Sequence, residues 1–378
     1  MKKREIQVLY IITKLELGGA QKVCLSLLKG IQQSGHVGLI ISGKEGLLTK
    51  EIQKTPNAFL LENFKREVTF YSLFSEVKSF FQLIFYIQKL KKKYPQLIIH
   101  THSTKAGLFG RWAAFFCGIK IKIHTVHGFG FHPYQTNIGW LINFVLEWIT
   151  SFITTHYICV SSFDVKKGIC LIPKFIQKHS IIRAAVNKKE FILSQKLVKN
   201  NTNFIFGTIA CFKKQKNLFD LFNAFMQCHQ QNPHIRLEVI GDGELRPHLE
   251  KWIEKHNMSS YITLLGWQHN INFYLQQWHS LVLTSLWEGL PCAVIEARLL
   301  KVPVIAYDTG GIHDIIFHGE NGLLFKPKNI PAFAQGMLTI SLENKLYLKC
   351  KNFSDNLSSY DSTTMIQQHI ELYKSLCL

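Results

Sequence analysis

Two glutamates eight residues apart, Glu288 and Glu296, lie in the stretch SLWEGLPCAVIEARLLKVPVIAYDTGGIHDIIFHGENG, residues 285–322. Pro291 stands between them, and proline favours the first turn of a helix. Glu288 therefore belongs to a loop ahead of a helix that begins near Leu290, and Glu296 falls more than one turn inside it. A wholly helical run would separate the two by about 12 Å along the axis, at ~1.5 Å per residue. Carboxylates so spaced touch opposite ends of one elongated ligand and do not share a proton. A buried strand predicted over 302–307 leads to Gly310 and Gly311, expected to open another helix. Glycines at a strand-to-helix turn let backbone N–H groups approach a phosphate, and the helix dipole favours its charge. Spaced carboxylates beside a phosphate cradle suit a nucleotide-linked substrate.

Other candidates lie near the start of the chain. Gly18 and Gly19 follow a predicted strand over 8–13 and precede a helix over 21–33 with Val23, Leu27, Leu28 and Ile31 at helical spacing. Strand, glycine loop and helix entry in that order are found in nucleotide-binding α/β folds. A strand over 97–102 delivers His100 and His102. The next, over 121–127, carries His124 and His127 and opens into Gly128 and His132. Five histidines invite a metal, but no carboxylate or cysteine stands among them, and alternation along strands distributes side chains over both faces. Ligand binding at the strand ends is the better expectation. Gly241-Asp242-Gly243-Glu244 follows a strand and is expected to be a structural turn, with φ > 0 open to its glycines.

Strands alternate with helices on both sides of a polar run over 188–203, of which 196–203 has the composition of a linker. This pattern predicts an α/β protein of two doubly wound Rossmann-like domains facing across a cleft, 1–187 and 188–357, followed by a helix over 358–378. At 378 residues the chain is long enough for both cores. The longest apolar stretch, 138–160, is interrupted by Glu147 and His156, and is expected to be a helix followed by a strand, not a membrane span. A helix over 70–93 combines an apolar stripe with a lysine-rich end. The net charge of +19 is one-sided: residues 1–185 hold 25 Lys and Arg against 9 Asp and Glu, and the remainder 19 against 16. The basic first half calls for an anionic partner such as a membrane surface. No recognisable nucleic-acid motif accompanies it. Nine cysteines without metal-like spacing, and an opening MKKREIQVLYIITKL that runs straight into a strand, suggest a reducing cytoplasm.

Taken together, the Glu288–Glu296 pair with Gly-Leu-Pro after its first member, the Gly310-Gly311 turn and the Asn321-Gly322 turn resemble retaining glycosyltransferases of family 4, two-domain enzymes of the GT-B fold. Gly18 and Gly19 match the family's first loop, which covers the donor phosphates. His127-Gly128 matches its active-site histidine, and HSTKAG followed by TVHGFGFH resembles a subgroup that builds cell-surface polysaccharides on lipid carriers. In 207–225, Lys216 stands where the family's diphosphate-gripping lysine is expected. Cys211 takes the place of the usual arginine, and Lys213 is the nearest replacement, though a point charge without the bidentate fork. The resemblance implies that Glu288 binds sugar hydroxyls near the anomeric carbon, that Glu296 holds the ribose and that His127 contacts the donor sugar. It further implies transfer without a metal or cofactor and a final helix that packs back on the first domain. The expected activity is transfer of a hexosyl or N-acetylhexosaminyl group from a nucleotide-sugar, with UDP as the expected carrier. The acceptor is a lipid-linked or surface-polysaccharide saccharide, and the setting is the cytoplasmic face of the plasma membrane, where the protein is peripheral. A nucleotide-sugar epimerase or hydrolase on a similar fold, forming product without an acceptor, and a basic nucleic-acid-binding protein are the alternatives.

Overall fold

Short runs of Val, Ile and Leu become strands buried along their length, as a parallel sheet covered on both faces requires. In β1 (Gln7–Ile12) and β2 (Val37–Gly43) every residue but the first is buried. The computed structural model describes residues 5–53, 55, 57–62, 64, 73–192 and 203–377. Its contacts divide the chain into two units, Met1–Ala185 with Ser362–Leu378, and Val186–Asp361.

In the first unit β1 and β2 are joined by α1 (Gly19–Gln33), and α2 (Thr49–Gln53) leads to β3 (Ala58–Leu61). Then come α3 (Leu73–Lys93), β4 (Ile98–His102), α4 (Thr104–Phe116), β5 (Lys122–Val126), α5 (Asn137–Ser151), β6 (His156–Cys159), α6 (Ser162–Leu171) and β7 (His179–Ile181). The sheet order is β3-β2-β1-β4-β5-β6-β7, with every pairing parallel. The order reverses between β1 and β4, and in open α/β sheets such a reversal is where ligands bind, at the strands' carboxyl ends. The helix predicted over 70–93 begins at Leu73, and residues 70–72 lie outside the described residues, as does the linker over 196–203 apart from Asn203.

The stretch over 138–160 is α5 followed by β6, and Glu147 explains why it is no span. Its carboxylate accepts both terminal nitrogens of the fully buried Arg111 at 2.8 Å each, and also the Tyr157 hydroxyl at 2.8 Å. The pair therefore ties α4, α5 and β6 together. Among the described residues no helix is long and apolar enough to cross a membrane.

The second unit repeats the plan with β8 (Phe204–Ile209), α7 (Leu218–Gln231), β9 (Ile235–Ile240), α8 (Arg246–Lys255), β10 (Ile262–Gly266), α9 (Ile271–Gln277), β11 (Ser280–Leu283), α10 (Cys292–Leu299), β12 (Val304–Tyr307) and β13 (Gly322–Phe325). Its sheet order, β10-β9-β8-β11-β12-β13, is again wholly parallel and reverses between β8 and β11. Helices α11 (Ile330–Leu342) and α12 (Asn344–Asn352) complete it. The final helix, expected over 358–378, is α13 (Ser362–Leu376), and Ser358–Tyr360 form a separate 3-10 turn. Helix α13 belongs to the first unit: Tyr373 is fully buried there and its hydroxyl lies 3.2 Å from that of Tyr10 on β1. None of the nine cysteines is in a disulfide.

Candidate active site

At the reversal point of the second sheet, the loops after β8 and β11 are stitched together by polar groups. Leu286 N–H donates to the Gln215 carbonyl at 2.8 Å, and the Gln215 amide donates to the Trp287 carbonyl at 2.7 Å. The Thr284 hydroxyl lies 3.2 Å and 3.0 Å from the carbonyls of Lys216 and Asn217. This stitching places Lys216 Nζ 2.5 Å from Glu288 Oε1, with both side chains largely buried. Two residues 72 apart in sequence thus meet at the crevice where open α/β sheets take ligands.

The third loop comes from β12. Gly310 has φ +57°, and a Cβ there would lie 1.9 Å from the Glu288 carbonyl oxygen, so only glycine lets this turn press against the carboxylate loop. Gly311 N–H donates to the Gly289 carbonyl at 2.6 Å. Two expectations are corrected here. Gly310 and Gly311 do not open a full helix, because Ile312–Asp314 is one 3-10 turn. Asn321 ends it by donating to the Ile315 carbonyl and accepting from Phe317 N–H, which diverts backbone groups that a helix would need. Nor is Gly311 N–H open to a phosphate, since it fastens the turn to Gly289.

Glu288 precedes its helix as expected, but α10 starts at Cys292 with Pro291 as its N-cap, two residues later than predicted. Glu296 is buried on the second turn of α10. Lys213 flanks the 3-10 turn Lys214–Lys216, and Cys211 is half-buried in the same loop. Gly241 and Gly243 have φ of 133° and 155°, and Phe212 N–H donates to the Asp242 carbonyl at 2.9 Å. That turn therefore braces the Cys211–Lys213 loop.

In the first unit Gly18 is the N-cap of α1, where no side chain caps the first turn. The histidines sort by face. His100 and His102 point to one side of β4, and His127 joins them: His102 Nδ1 lies 3.0 Å from His127 Nε2. His100 Nδ1 and Nε2 lie 2.6 Å from the Tyr373 hydroxyl and 2.7 Å from the Thr125 hydroxyl. His124 takes the opposite face, 2.9 Å from the Thr101 hydroxyl. The rings of His100 and His102 are 4.4 Å apart, and those of His100 and His369 are 5.7 Å apart. So the structure gathers His100, His102, His127 and His369 more closely than alternation suggested, and α13 supplies the fourth. Burial, reinforced by like-charged neighbours, holds the imidazole pKa of His127 down to about 4, and those of His100 and His102 well below the usual histidine range. Among the described residues no group of three or more His, Cys, Asp or Glu side chains is placed to hold a metal ion.

The sequence of residues 17–167 matches the family model described as Glycosyltransferase Family 4, and residues 189–356 match that of Glycosyl transferases group 1. The chain belongs to the family 4 glycosyltransferases. An Escherichia coli UDP-Gal:alpha-D-GlcNAc-diphosphoundecaprenol alpha-1,3-galactosyltransferase is 28% identical over 361 residues, 92% of this chain and 91% of its own length. CapM, a capsular polysaccharide biosynthesis glycosyltransferase of Staphylococcus aureus, is 24% identical over 72% of each chain. The crystal structure of Anabaena HepE in complex with UDP and glucose superposes with a TM-score of 0.81 at 17% identity, covering 98% of this chain and 100% of the other. The glycosyltransferase therefore has the GT-B fold.

Some of the residues that build its site escaped the sequence reading. Arg298, fully buried two residues beyond Glu296, donates to the Asp355 carboxylate at 2.7 Å and to the Val302 carbonyl at 3.1 Å. Asn321 donates to the same carboxylate at 2.7 Å. This lock fixes α10, and with it Glu296, to the segment after α12. A second charged residue beside Glu296 in a mostly apolar helix was a visible signal in the sequence, but its partner 57 residues away was not.

Proposed function

We propose that this glycosyltransferase is a retaining, metal-independent enzyme that moves a hexosyl or N-acetylhexosaminyl group from a UDP-sugar to a lipid-linked or surface-polysaccharide acceptor. The observation that carries the reading is the meeting of Lys216 and Glu288 beside the Gly310 turn, at the reversal point of the second sheet. An ammonium has three donors. Lys216 can keep Glu288 and still give hydrogen bonds to a diphosphate, whose charge grows as the bond to the anomeric carbon breaks. Such placed charge is the largest contribution in many transfer reactions. Lys213 and the Gly310 N–H add to it, and so do the uncapped N–H groups that follow Gly18 and Gly19 in α1. Glu288 takes hydroxyls of the sugar near its anomeric carbon, Glu296 takes the ribose, and Gly311 holds the turn in place. His127 contacts the donor sugar. No step in this set calls for a metal.

Support for UDP comes from the Escherichia coli relative, whose name specifies UDP-Gal, and from the HepE complex with UDP and glucose. Support for the acceptor comes from the same relative, named for a diphosphoundecaprenol substrate, and from CapM. The peripheral position on the cytoplasmic face rests on the surface of the first unit. Phe74, Val77, Phe81 and Phe85 repeat at three- and four-residue intervals on α3 and are exposed, Phe74 to 89%. Phe80 bridges this row to Phe116, with ring centroids 6.2 Å from both Phe81 and Phe116. Phe115 and Phe116 at the end of α4 are exposed too, as are Ile138, Leu141 and Ile142 on α5 and Phe152 just after it. A patch of this extent with lysines at its edge suits an anionic lipid surface.

The deciding measurement is a thermal-shift panel of nucleotide-sugars. A UDP-sugar should raise the melting temperature by linkage, and release of UDP should then require an acceptor. Stabilisation by other nucleotide carriers alone would overturn the choice of donor. Product formed without acceptor would favour an epimerase or hydrolase.

A further inference from the structure

The contact between His102 and His127 has a chemical consequence. Both rings are neutral near pH 7, because burial and neighbouring imidazoles disfavour their charged forms. A neutral imidazole carries one N–H. Across the 3.0 Å contact, either His102 Nδ1 donates to His127 Nε2 or the reverse. His102 Nε2 is fully buried and has no hydrogen-bond partner among the described residues. If His127 donated, the proton of His102 would sit on Nε2 as an orphaned buried N–H, among the rarest features of folded proteins. If His102 donates, Nε2 keeps only a bare lone pair. Tyr10 and His100 pack against the His102 ring at centroid distances of 6.0 Å and 4.4 Å, and neither offers Nε2 a polar atom. The rotation of His100 is fixed in turn by Thr125 and Tyr373.

We infer that His102 is a positioning residue that donates from Nδ1 to His127 Nε2 and so fixes His127 in the tautomer that presents Nδ1–H to substrate. His127 has no hydrogen bond at Nδ1 among the described residues, so that proton is available to a hydroxyl oxygen of the donor sugar. The inference deepens the proposed function, resting on it for the identity of the ligand but not for the state of the ring.

The experiment follows the tautomer directly by 15N-detected histidine spectra of the full chain at pH 7.5, with His127 assigned through His127→Gln. In the parent protein His127 Nδ1 should carry the proton and Nε2 should show the shift of an acceptor nitrogen. His102→Leu should return His127 to a mixture and reduce kcat roughly tenfold at unchanged melting temperature. His102→Asn, whose amide nitrogen falls near the position of Nδ1, should restore both. A parent His127 protonated at Nε2, or a tautomer indifferent to His102→Leu, overturns the inference. Should the leucine variant fail to fold, the parent spectrum and the asparagine variant still decide it. Full transfer by His127→Gln, with the tautomer as expected, would instead overturn the assignment of His127 to the sugar.

Discussion

Lys216 and Glu288 form an ion pair whose partners are, in the proposed function, each needed elsewhere during turnover, one by the diphosphate and one by the sugar. The pair keeps both side chains in a single arrangement before chemistry begins, which lowers the entropy lost in reaching the transition state. Replacing either should therefore cost far more in rate than in stability. Glu288→Gln retains an oxygen to accept from Lys216 but loses the charge, and Lys216→Met loses the donor altogether. Each is expected to lower kcat by about 10²–10³, the usual cost of removing one placed electrostatic partner. Both should melt with the same profile and midpoint as the parent, which circular dichroism melts would check. Turnover within a few-fold of the parent in either variant would remove these residues from the mechanism.

At the scale of elements, the helices of the first unit present contrasting surfaces. Helix α13 is anchored by Met365, His369, Ile370 and Tyr373, all buried. Helix α5 buries Glu147, Thr150 and Ser151 and exposes Ile138, Leu141 and Ile142, an inversion of the ordinary pattern. The Arg111–Glu147 pair makes the inversion tolerable, because a buried carboxylate held by two guanidinium nitrogens and a tyrosine hydroxyl has its hydrogen bonds satisfied. In the proposed function that exposed apolar face meets lipid. Flotation with phosphatidylglycerol-containing vesicles should carry the protein upward, and phosphatidylcholine alone should not. Phe81→Glu combined with Phe85→Glu is expected to abolish flotation while sparing transfer to a short water-soluble acceptor. Unchanged flotation by the double variant, or indifference to lipid charge, would argue against the membrane reading.

For the whole molecule, buried histidines set an acid limit on stability. Desolvation holds the imidazole pKa of the buried His369, and of the half-buried His127, down to about 4 in the folded protein, against 6.5 in the unfolded chain. Between those values the unfolded state binds more protons, so stability rises with pH. It is therefore complete above pH 6.5, and falls as the solution is acidified toward pH 4. One such group, His369, contributes roughly 3 kcal/mol across that window. Melting temperatures measured from pH 7.5 to 4.5 should decline progressively below pH 6.5. His369→Gln should flatten the decline. A protein that becomes more stable on acidification through this range would contradict the burial of these rings.

Much of this was legible in the sequence because it depends on local pattern. Apolar runs of strand length alternating with helical periodicity were enough for two doubly wound sheets, and Glu147 and His156 were enough to reject a membrane span. The order of Glu288, Glu296 and the glycine turns pointed to family 4. Local pattern misled where a distant side chain intervened: Asn321 reduced the helix expected after Gly311 to a single 3-10 turn. Only the tertiary structure could bring Lys216 to Glu288, Arg298 to Asp355, and His102 to His127, since hydrogen-bonding partners across a parallel sheet are separated by whole crossover connections and leave no periodic trace. The sequence by itself determined which residues have the chemistry. Which nitrogen faces a ligand, which N–H is already spent and which apolar face lacks a cover were decided by packing, because each depends on groups brought together from remote parts of the chain.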